Sequence, residues 1–270
     1  MQIPLVRYLR LKQRNWPAKT VRRSTRQLFN RISKMIDFFI QNYGWNNWEQ
    51  VSTSWLEDYI DAKLRENLAP STINWDLTAF LVLCMFLLEE GYNIPISTTK
   101  MDLLYEPRRL PRPLSGDQVR RLERHLLSAR SEARTDLQKE LAVRDLACYY
   151  LLWHCGLRIS EVCSLRVDEV DLEGRKLFIR NSEEGKDRIV YLSDPAAIGL
   201  SQQMESRSSQ NSPYMFPTRN GVLSPRGLQR RLVKRGKECS VSVTAQRLRH
   251  TFASHSIRVY DPGWMTTIDW

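Results

Sequence analysis

Apolar residues recur at helical spacing early in the chain. They follow Val21 and continue to Tyr43, and Gly44 comes next as a residue that readily adopts the left-handed conformation at a helix end. The apolar positions are Leu28, Ile32, Met35, Ile36, Phe39 and Tyr43. This spacing predicts an amphipathic helix over residues 21–43 that buries one face.

Two more helices are predicted before residue 92. Ser54 and Glu57 have the spacing of a capping box and place the start of a second helix at Ser54. A third helix is predicted after Pro70, with Ser71 as its cap and Gly91 beyond its end. Its longest apolar run, residues 79–88, is about half of the roughly 20 residues that a bilayer span needs. The pattern therefore predicts a small helical bundle and no membrane partner.

The helical pattern breaks between residues 93 and 115. Prolines interrupt the period there and favour extended chain, at Pro95, Pro107, Pro111 and Pro113. We interpret the segment as a linker between two domains, residues 1–105 and residues 106–270, with an ordinary surface loop as the alternative. The segment also carries Arg108, Arg109 and Arg112, which we predict to contact a phosphate backbone.

The second part of the chain mixes helices with a short hairpin. Ser115 and Gln118 form another capping-box pair, and residues 141–157 are apolar nearly all round, as in a central core helix. Residues 175–180 and 188–192 are rich in apolar and β-branched side chains and flank a polar segment, which predicts a β-hairpin. The predicted fold class is mainly α with a small β-hairpin or sheet.

A basic helix is predicted from Ser224 onwards. Ser224 is suited to cap it, and Pro225 is suited to its first position. The residues of this helix that we predict to bind DNA are Arg226, Arg230, Arg231 and Lys234.

The net charge indicates the class of partner, and the cysteine content indicates the cellular compartment. The 270-residue chain has 41 Lys and Arg against 30 Asp and Glu, and its net charge of +11 attracts polyanions. Nucleic acid is the leading partner, and charge that only maintains solubility is the alternative. The five cysteines form no Cys-x-x-Cys pair, a usage typical of a reducing compartment. We predict a cytoplasmic, nucleoid-associated protein with no metal and no cofactor.

Two arginines interrupt helical segments whose other residues are typical of a core. They are Arg158 and Arg249, and a buried guanidinium needs either a carboxylate or a phosphate as its partner. Glu161 lies one turn after Arg158, so an internal ion pair is one interpretation. A phosphate site is the other, and the neighbouring His250 in a basic protein favours it.

Three segments, in this order, resemble the tyrosine recombinases, the family of phage integrases and Xer-type resolvases. "GLRISEVCSLRVDEVDLEGRKLFIR" resembles the family's first active-site box, "GKDRIVYL" its hairpin and "RLRHTFASH" its second box. "LPRPLSGDQVRRL" is similar to the opening of the catalytic domain, and residues 1–105 resemble the helical core-binding domain. The resemblance implies a two-domain clamp on double-stranded DNA, with further recombinase subunits forming a tetramer on two sites.

The resemblance also implies a mechanism. Arg158 and Arg249 would bind the non-bridging oxygens of one phosphodiester, a role that suits a planar and permanently charged fork. His250 would be the histidine that follows the second arginine. Lys186 would protonate the leaving 5′-oxygen from the hairpin, and contact with backbone phosphate is the alternative. A tyrosine hydroxyl would attack the phosphorus and keep the bond energy in a phosphotyrosyl link, so that neither ATP nor metal is needed.

The chain departs from the family pattern at three places. Gln246 stands where the second box normally begins with histidine, and glutamine cannot shuttle a proton. Glu183 stands at the place of the catalytic lysine, three residues before Lys186. Tyr260 follows Arg249 by eleven residues, much closer than the family's nucleophile, and a packing tyrosine is the alternative. We therefore expect a catalytic domain that is incomplete at its C-terminus, through truncation or frameshift.

Two functions are compatible with these residues. The first is a site-specific recombinase or integrase that breaks and rejoins DNA. The second is a catalytically inactive DNA-binding protein that occupies or regulates a recombination site. Loss of one transition-state donor costs about 10²–10³ in rate, whereas loss of the nucleophile removes the covalent route. A basic helical protein unrelated to recombination is a third and weaker alternative.

Overall fold

Over the residues that the structure describes, the protein is mostly helical with two small sheets, which confirms the predicted fold class. Contacts within the chain divide it into two compact units, Met1–Arg109 and Leu110–Trp270. The computed structural model describes residues 2–16, 21–96, 102–107, 112–180, 187–207, 212–218 and 221–260.

The first unit is a bundle built around one apolar helix. Its helices are α1 (Gln2–Gln13), α2 (Val21–Tyr43), α3 (Thr53–Arg65) and α4 (Pro70–Glu89). Helix α4 contacts the other three, and eight of its ten buried residues belong to one apolar core with Ile32, Met35 and Phe39 of α2. Gly44 ends α2 in the left-handed region at φ 62°, as the pattern predicts.

Helix α4 is by length and composition apolar enough to cross a membrane. Its 20 residues are twice the apolar run seen in the sequence, so length does not separate it from a membrane span. In the first unit, however, 56% of its most apolar window is buried against other helices. Burial in a core therefore accounts for its apolar character.

The starts of two first-unit helices differ from prediction, and one helix was not predicted. Ser52 is the N-cap of α3, so Ser54 lies within the first turn instead of capping it. Ala69 is the N-cap of α4 and Pro70 is its first residue, so the predicted cap at Ser71 is wrong. Helix α1 was not predicted because its apolar face is weak and basic residues interrupt it.

The second unit packs five helices around a sixth. Helices α5 (Gly116–Ser131), α7 (Ile159–Ser164), α8 (Asp194–Ser206), α9 (Pro225–Glu238) and α10 (Ala245–Tyr260) all contact α6 (Asp136–Trp153). Ten residues of α6 are buried, as expected for a helix that is apolar nearly all round. Helix α5 begins with the predicted capping box of Ser115 and Gln118.

Two small antiparallel sheets complete the second unit. Strands β1 (Val170–Asp171), β2 (Lys176–Ile179) and β3 (Arg188–Tyr191) form the first, in that order, and β2 with β3 is the predicted hairpin. Strands β4 (Pro217–Thr218) and β5 (Gly221–Val222) form the second. Leu177 and Ile179 point from β2 into the core, so one face of the first sheet is buried.

Helix α10 holds the segment that begins the second unit. The Thr251 hydroxyl accepts a hydrogen bond from the backbone N–H of Leu114 at 2.9 Å. The Arg247 guanidinium donates to the carbonyl of Arg112, also at 2.9 Å. These contacts fix the residues before α5 against the helix that carries Arg249.

Candidate functional site

Arg158 lies where the chain leaves the central helix. Helix α6 ends at Trp153, Gly156 turns the chain with φ 60°, and Arg158 is the N-cap residue of the short helix α7. The Arg158 side chain is 25% exposed, although the helix before it is buried. The local fold therefore brings a guanidinium from the core to the surface of the second unit.

Glu161 anchors this arginine and is itself buried. One of its oxygens accepts the backbone N–H of Arg158 at 2.7 Å, and the other accepts Arg158 Nη1 at 3.3 Å. Burial acts to raise the pKa of Glu161, but the hydrogen bonds from Arg188 and Arg158 outweigh it and the pKa falls below its ordinary value. The internal ion pair suggested by the sequence is therefore present, with a long side-chain contact.

Arg188 is a member of this cluster that sequence reasoning missed. Its two terminal nitrogens donate to Glu161 at 2.8 and 2.7 Å, which is a bidentate pair. Arg188 is paired with Ile179 across the hairpin, so it occupies an inward-facing position of β3. A charged residue at a core-facing strand position is the pattern that could have identified it. Arg158, Glu161 and Arg188 form the Glu161 cluster.

Arg249 reaches the same turn from α10. Its Nη1 donates to the carbonyl of Gly156 at 2.6 Å, two residues before Arg158. Gly156 permits this approach, since a Cβ atom there would lie 2.2 Å from a ring carbon of Phe252 on α10. The structure thus brings Arg158 and Arg249, the arginine pair, together at one turn although they are 91 positions apart in the sequence.

The structure describes some of the other predicted catalytic residues and not others. His250 is partly buried on α10, next to Arg249, and Gln246 is exposed in the first turn of that helix. Tyr260 is the last residue of α10, and its side chain lies outside the described residues. Lys186 and Glu183 also lie outside them. The structure therefore groups Arg158, Arg249 and His250 on adjoining segments and leaves the predictions for the other residues as they stand.

Helix α9 presents a basic outer stripe, as predicted. Arg226, Arg230 and Lys234 are exposed at intervals of four residues, and we call these three the α9 stripe. Ser224 caps the helix through the backbone N–H of Gly227. Of the predicted linker arginines, Arg112 is exposed, whereas Arg108 and Arg109 lie outside the described residues.

Arg231 faces the opposite way and does not belong to this stripe. Its guanidinium forms two 2.6 Å hydrogen bonds with the buried carboxylate of Asp145 on α6, and Arg235 donates to the same carboxylate at 2.9 Å. Successive positions on a helix point about 100° apart, so Arg230 and Arg231 necessarily diverge. Arg231 therefore makes a contact inside the unit, and its DNA contact stays a prediction. Asp145, Arg231 and Arg235 form the Asp145 cluster.

The Asp145 cluster lines a cleft of about 530 Å³ between α5, α6 and α9. Glu238 extends the cluster there, accepting from Arg235 at 3.2 Å and lying 2.9 Å from the His125 ring. Acidic and basic groups balance in this cleft. Across the described ranges, no group of three or more side chains is arranged to hold a metal ion.

Comparison with known proteins decides the family. Residues 114–260, which include both members of the arginine pair, match the sequence profile of the phage integrase family. The chain belongs to the phage integrase family of tyrosine recombinases. The matched segment starts at the residue that α10 holds and continues through the last residue of α10.

Relatives of this integrase-family chain include tyrosine recombinase XerA of Pyrococcus horikoshii. The two are 31% identical over 155 residues, which cover 56% of this chain and 49% of the relative. Tyrosine recombinase XerC of Shewanella amazonensis is 29% identical over 222 residues, covering 79% of this chain and 70% of the relative. The chain thus spans about half the length of the XerA relative.

Solved structures of integrases share the fold of this family member. The Tn1549 transposon integrase in complex with transposon right end DNA has a TM-score of 0.70 at 17% identity, covering 96% of this chain and 86% of that one. A lambda integrase tetramer bound to a Holliday junction has a TM-score of 0.69 at 15% identity, covering 97% and 74%. At such low identity the likeness shows the fold.

Proposed function

We propose that the protein is a site-specific DNA recombinase in which the arginine pair binds one phosphodiester of duplex DNA. The observation that carries this proposal is the bond from Arg249 to the carbonyl of Gly156, two residues before Arg158. It joins two arginines from distant segments at one partly exposed turn. Two guanidinium groups so placed suit the non-bridging oxygens of a phosphate and the charge that develops during its transfer.

The proposed reaction is phosphoryl transfer to a tyrosine and back. The tyrosine hydroxyl releases its proton to solvent as its oxygen bonds to phosphorus. The bond from phosphorus to the 5′-oxygen breaks, and that oxygen takes up a proton. Lys186 is the proposed proton donor, His250 a hydrogen-bond donor to phosphate, and Tyr260 the candidate nucleophile within this chain. Religation reverses the step, with no metal or cofactor consumed.

Duplex DNA is the proposed partner of both units. In the second unit, the α9 stripe and Arg112 supply exposed positive charge, and Arg108 and Arg109 precede them in the predicted linker. Residues 1–105 are the proposed core-binding domain and residues 106–270 the proposed catalytic domain. The tetrameric lambda integrase suggests that further subunits of this protein assemble on two sites. Such a function places the protein with the nucleoid in the cytoplasm.

A second candidate function is DNA binding without cleavage. Gln246 favours it, because this exposed first-turn residue of α10 replaces the histidine that the family resemblance implies. An amide donates a hydrogen bond to phosphate but cannot carry a proton at neutral pH. The protein would then occupy or regulate a recombination site.

Covalent trapping separates the two functions. Duplexes that the protein binds would be selected from a random library, and the selected site, nicked near its centre, would be incubated with the protein. The recombinase proposal expects a protein–DNA adduct that survives denaturing electrophoresis. Arg158→Ala and Arg249→Ala should each lower adduct formation by about 10²–10³. Tyr260→Phe should abolish it if Tyr260 is the nucleophile.

Arg175→Ala serves as the matched control, since it removes an exposed arginine that pairs with Asp194 on the surface. It should leave adduct formation unchanged. Salt-sensitive binding with no adduct, even with an intact recombinase subunit supplied, would establish the second function. An adduct that persists without either member of the arginine pair would refute their assignment, and absence of binding at low salt would refute both functions.

A further inference from the structure

The buried amide of Asn74 fastens part of the linker to the first unit. Asn74 lies on α4 and is 5% exposed. Its Nδ2 donates to the carbonyl of Leu104 at 2.8 Å, and its Oδ1 accepts the backbone N–H of the same residue, also at 2.8 Å. Nδ2 also donates to a carboxylate oxygen of Glu106 at 2.6 Å. The side chain thus pairs with both backbone groups of Leu104, as a neighbouring β-strand would.

Asn74 is the strongest attachment that the structure describes for residues 102–107. These residues form neither helix nor strand. Leu104 packs partly against the core of the first unit, whereas Leu103 and Tyr105 on either side are 50% and 84% exposed. Detaching Leu104 would leave the buried amide of Asn74 without its partners, which is costly. The segment is therefore held at one residue, through a side chain of the core.

The other end of the linker is fastened to the second unit. Helix α10 binds the carbonyl of Arg112 and the backbone N–H of Leu114. Between the two attachments lie residues 107–111, a stretch of five residues that we call the tether. Without the bonds of Asn74, the preceding described attachment is Ile96, which is 5% exposed in the core of the first unit. The tether would then comprise residues 97–111, which are fifteen residues.

We propose that Asn74 is a positioning residue that keeps this tether short and so raises the effective concentration of one unit for a duplex that the other unit has bound. This inference rests on the proposed function, because it takes one duplex as the ligand of both units. Effective concentration falls with about the −3/2 power of tether length once the tether is long enough to span both sites. A change from five residues to fifteen should therefore weaken the joint binding about fivefold.

Hydrogen exchange tests the attachment in the absence of DNA. The Leu104 amide should be protected in the wild type, because its acceptor on Asn74 is buried. Asn74→Ala should speed exchange of that amide about tenfold. Asn42→Ala is the matched control, since it removes an exposed amide of α2 that donates to the carbonyl of Phe38, and it should leave Leu104 unchanged. An unprotected Leu104 amide in the wild type would refute the attachment.

Duplex binding at constant salt tests the tether, with the selected site as the probe. The second variant carries about ten Gly and Ser residues inserted between Arg109 and Leu110, which lengthens the tether and leaves the bonds of Asn74 in place. Asn74→Ala and the insertion should each raise the Kd about fivefold, because each gives a tether of about fifteen residues. Asn42→Ala should not change the Kd. The insertion keeps the test decisive even where Asn74→Ala fails to fold.

Combining the two changes separates a tether role from a purely structural one. The combined variant has a tether of about 25 residues, so Asn74→Ala should raise the Kd only about twofold when the insertion is present. If Asn74 instead stabilises the bundle or contacts DNA itself, its loss should raise the Kd by the same factor with and without the insertion. Equal factors would therefore refute the positioning role.

The outcomes separate this inference from the proposed function. A wild-type protein that does not bind the duplex refutes the proposed function, and this inference with it. Wild-type binding that the insertion leaves unchanged, or strengthens, refutes the tether role alone. The proposed function would then stand, with the two units contributing to affinity independently of the length of chain between them.

Discussion

Asp145 and Glu161 are buried carboxylates of the second unit, and each accepts hydrogen bonds from two arginines. The lengths of these bonds differ between the two carboxylates. Asp145 holds Arg231 by two bonds of 2.6 Å and Arg235 by one of 2.9 Å. Glu161 holds Arg188 at comparable distances, but its side-chain contact with Arg158 is 3.3 Å. Both carboxylates are less than a tenth exposed.

The neighbours of the two carboxylates differ as well. Arg235 also donates to Glu238, so the Asp145 cluster and this neighbour contain two carboxylates for two guanidinium groups. In the Glu161 cluster, Arg188 is bound by two side-chain bonds, and the shortest bond from Arg158 comes from its backbone N–H. An arginine beside a buried acid therefore does not by itself mark a phosphate site. The length of the side-chain bond distinguishes Arg231, Arg235 and Arg188 from Arg158, whose guanidinium lies farther from its carboxylate.

The largest expected effect is on stability, from Asp145→Asn. Removing the charge that two partly buried arginines share should lower the free energy of unfolding by about 3 kcal/mol, the lower end of the range for broken buried pairs. Urea denaturation followed by circular dichroism would measure it. Asp168→Asn, at an exposed ion pair, is the control and should cost less than about 1 kcal/mol. Equal losses in the two variants would contradict the structural role of the Asp145 cluster.

Gly156→Ala should perturb the arginine pair and leave the Asp145 cluster intact. The added Cβ would lie 2.2 Å from a ring carbon of Phe252, and the alanine would have to keep φ at 60°. We therefore expect the free energy of unfolding to fall by about 2–3 kcal/mol through overpacking and backbone strain. Gly44→Ala is the control, because it has φ 62° and open space around the added atom, and should cost about 1 kcal/mol. Thermal unfolding would measure the stability of both variants. Similar losses would show that the close approach of Phe252 on α10 to position 156 adds nothing to the cost of the substitution.

Glu161→Gln should lower the free energy of unfolding by less than Gly156→Ala does, by about 1–2 kcal/mol at neutral pH. The smaller loss is expected because an amide oxygen still accepts the backbone N–H of Arg158. The cost should depend on pH. The pKa of Glu161 is lowered on folding, so its stabilisation is fully present above the unfolded value of about 4.3 and disappears as pH falls through the lower folded value. Urea titrations of both proteins at several pH values would test this. A difference that persists unchanged into strong acid would contradict it.

Arg230→Ala should have the smallest effect on stability, within about 0.5 kcal/mol, because the side chain is exposed. It should reduce the salt dependence of duplex binding by about 0.9 in log–log slope, as expected for one lost phosphate contact. Its neighbour Arg231→Ala should instead lower stability through the loss of the Asp145 contact. Fluorescence anisotropy over a series of salt concentrations gives the slopes. Identical slopes for Arg230→Ala and the wild type would remove Arg230 from the DNA surface.

Local sequence patterns predicted the elements whose ends are set by local chemistry. The stop at Gly44, the capping box of Ser115 and the cap at Ser224 all depend on residues within one turn of the helix end. The starts of α3 and α4 were misplaced because no capping bond from a side chain marks them. Ser52 and Ala69 are their N-cap residues, and neither side chain accepts a hydrogen bond from the first turn.

Residues of the candidate site could be predicted only where they stand in a family motif or interrupt the apolar pattern of a helix. Arg158 and Arg249 stand out as charges in apolar helices, and the structure brings them to one turn. Arg188 was missed because its partner lies 27 residues earlier, and the contact of Arg231 with Asp145 was missed because Asp145 lies 86 residues earlier. Helical periodicity places residues on a face but does not say which distant carboxylate that face meets.

The contact between Leu114 and Thr251 has a consequence for how the protein is made. The two residues are 137 positions apart, and a second contact, from Arg247 to Arg112, spans 135. During synthesis the segment at residues 112–114 therefore leaves the ribosome long before α10 exists to receive it. Contacts of such high sequence separation form late, because the intervening chain must first be ordered. The first unit contains no residues from beyond its own boundary and is free to fold early, whereas closure of the second unit waits for its last described helix.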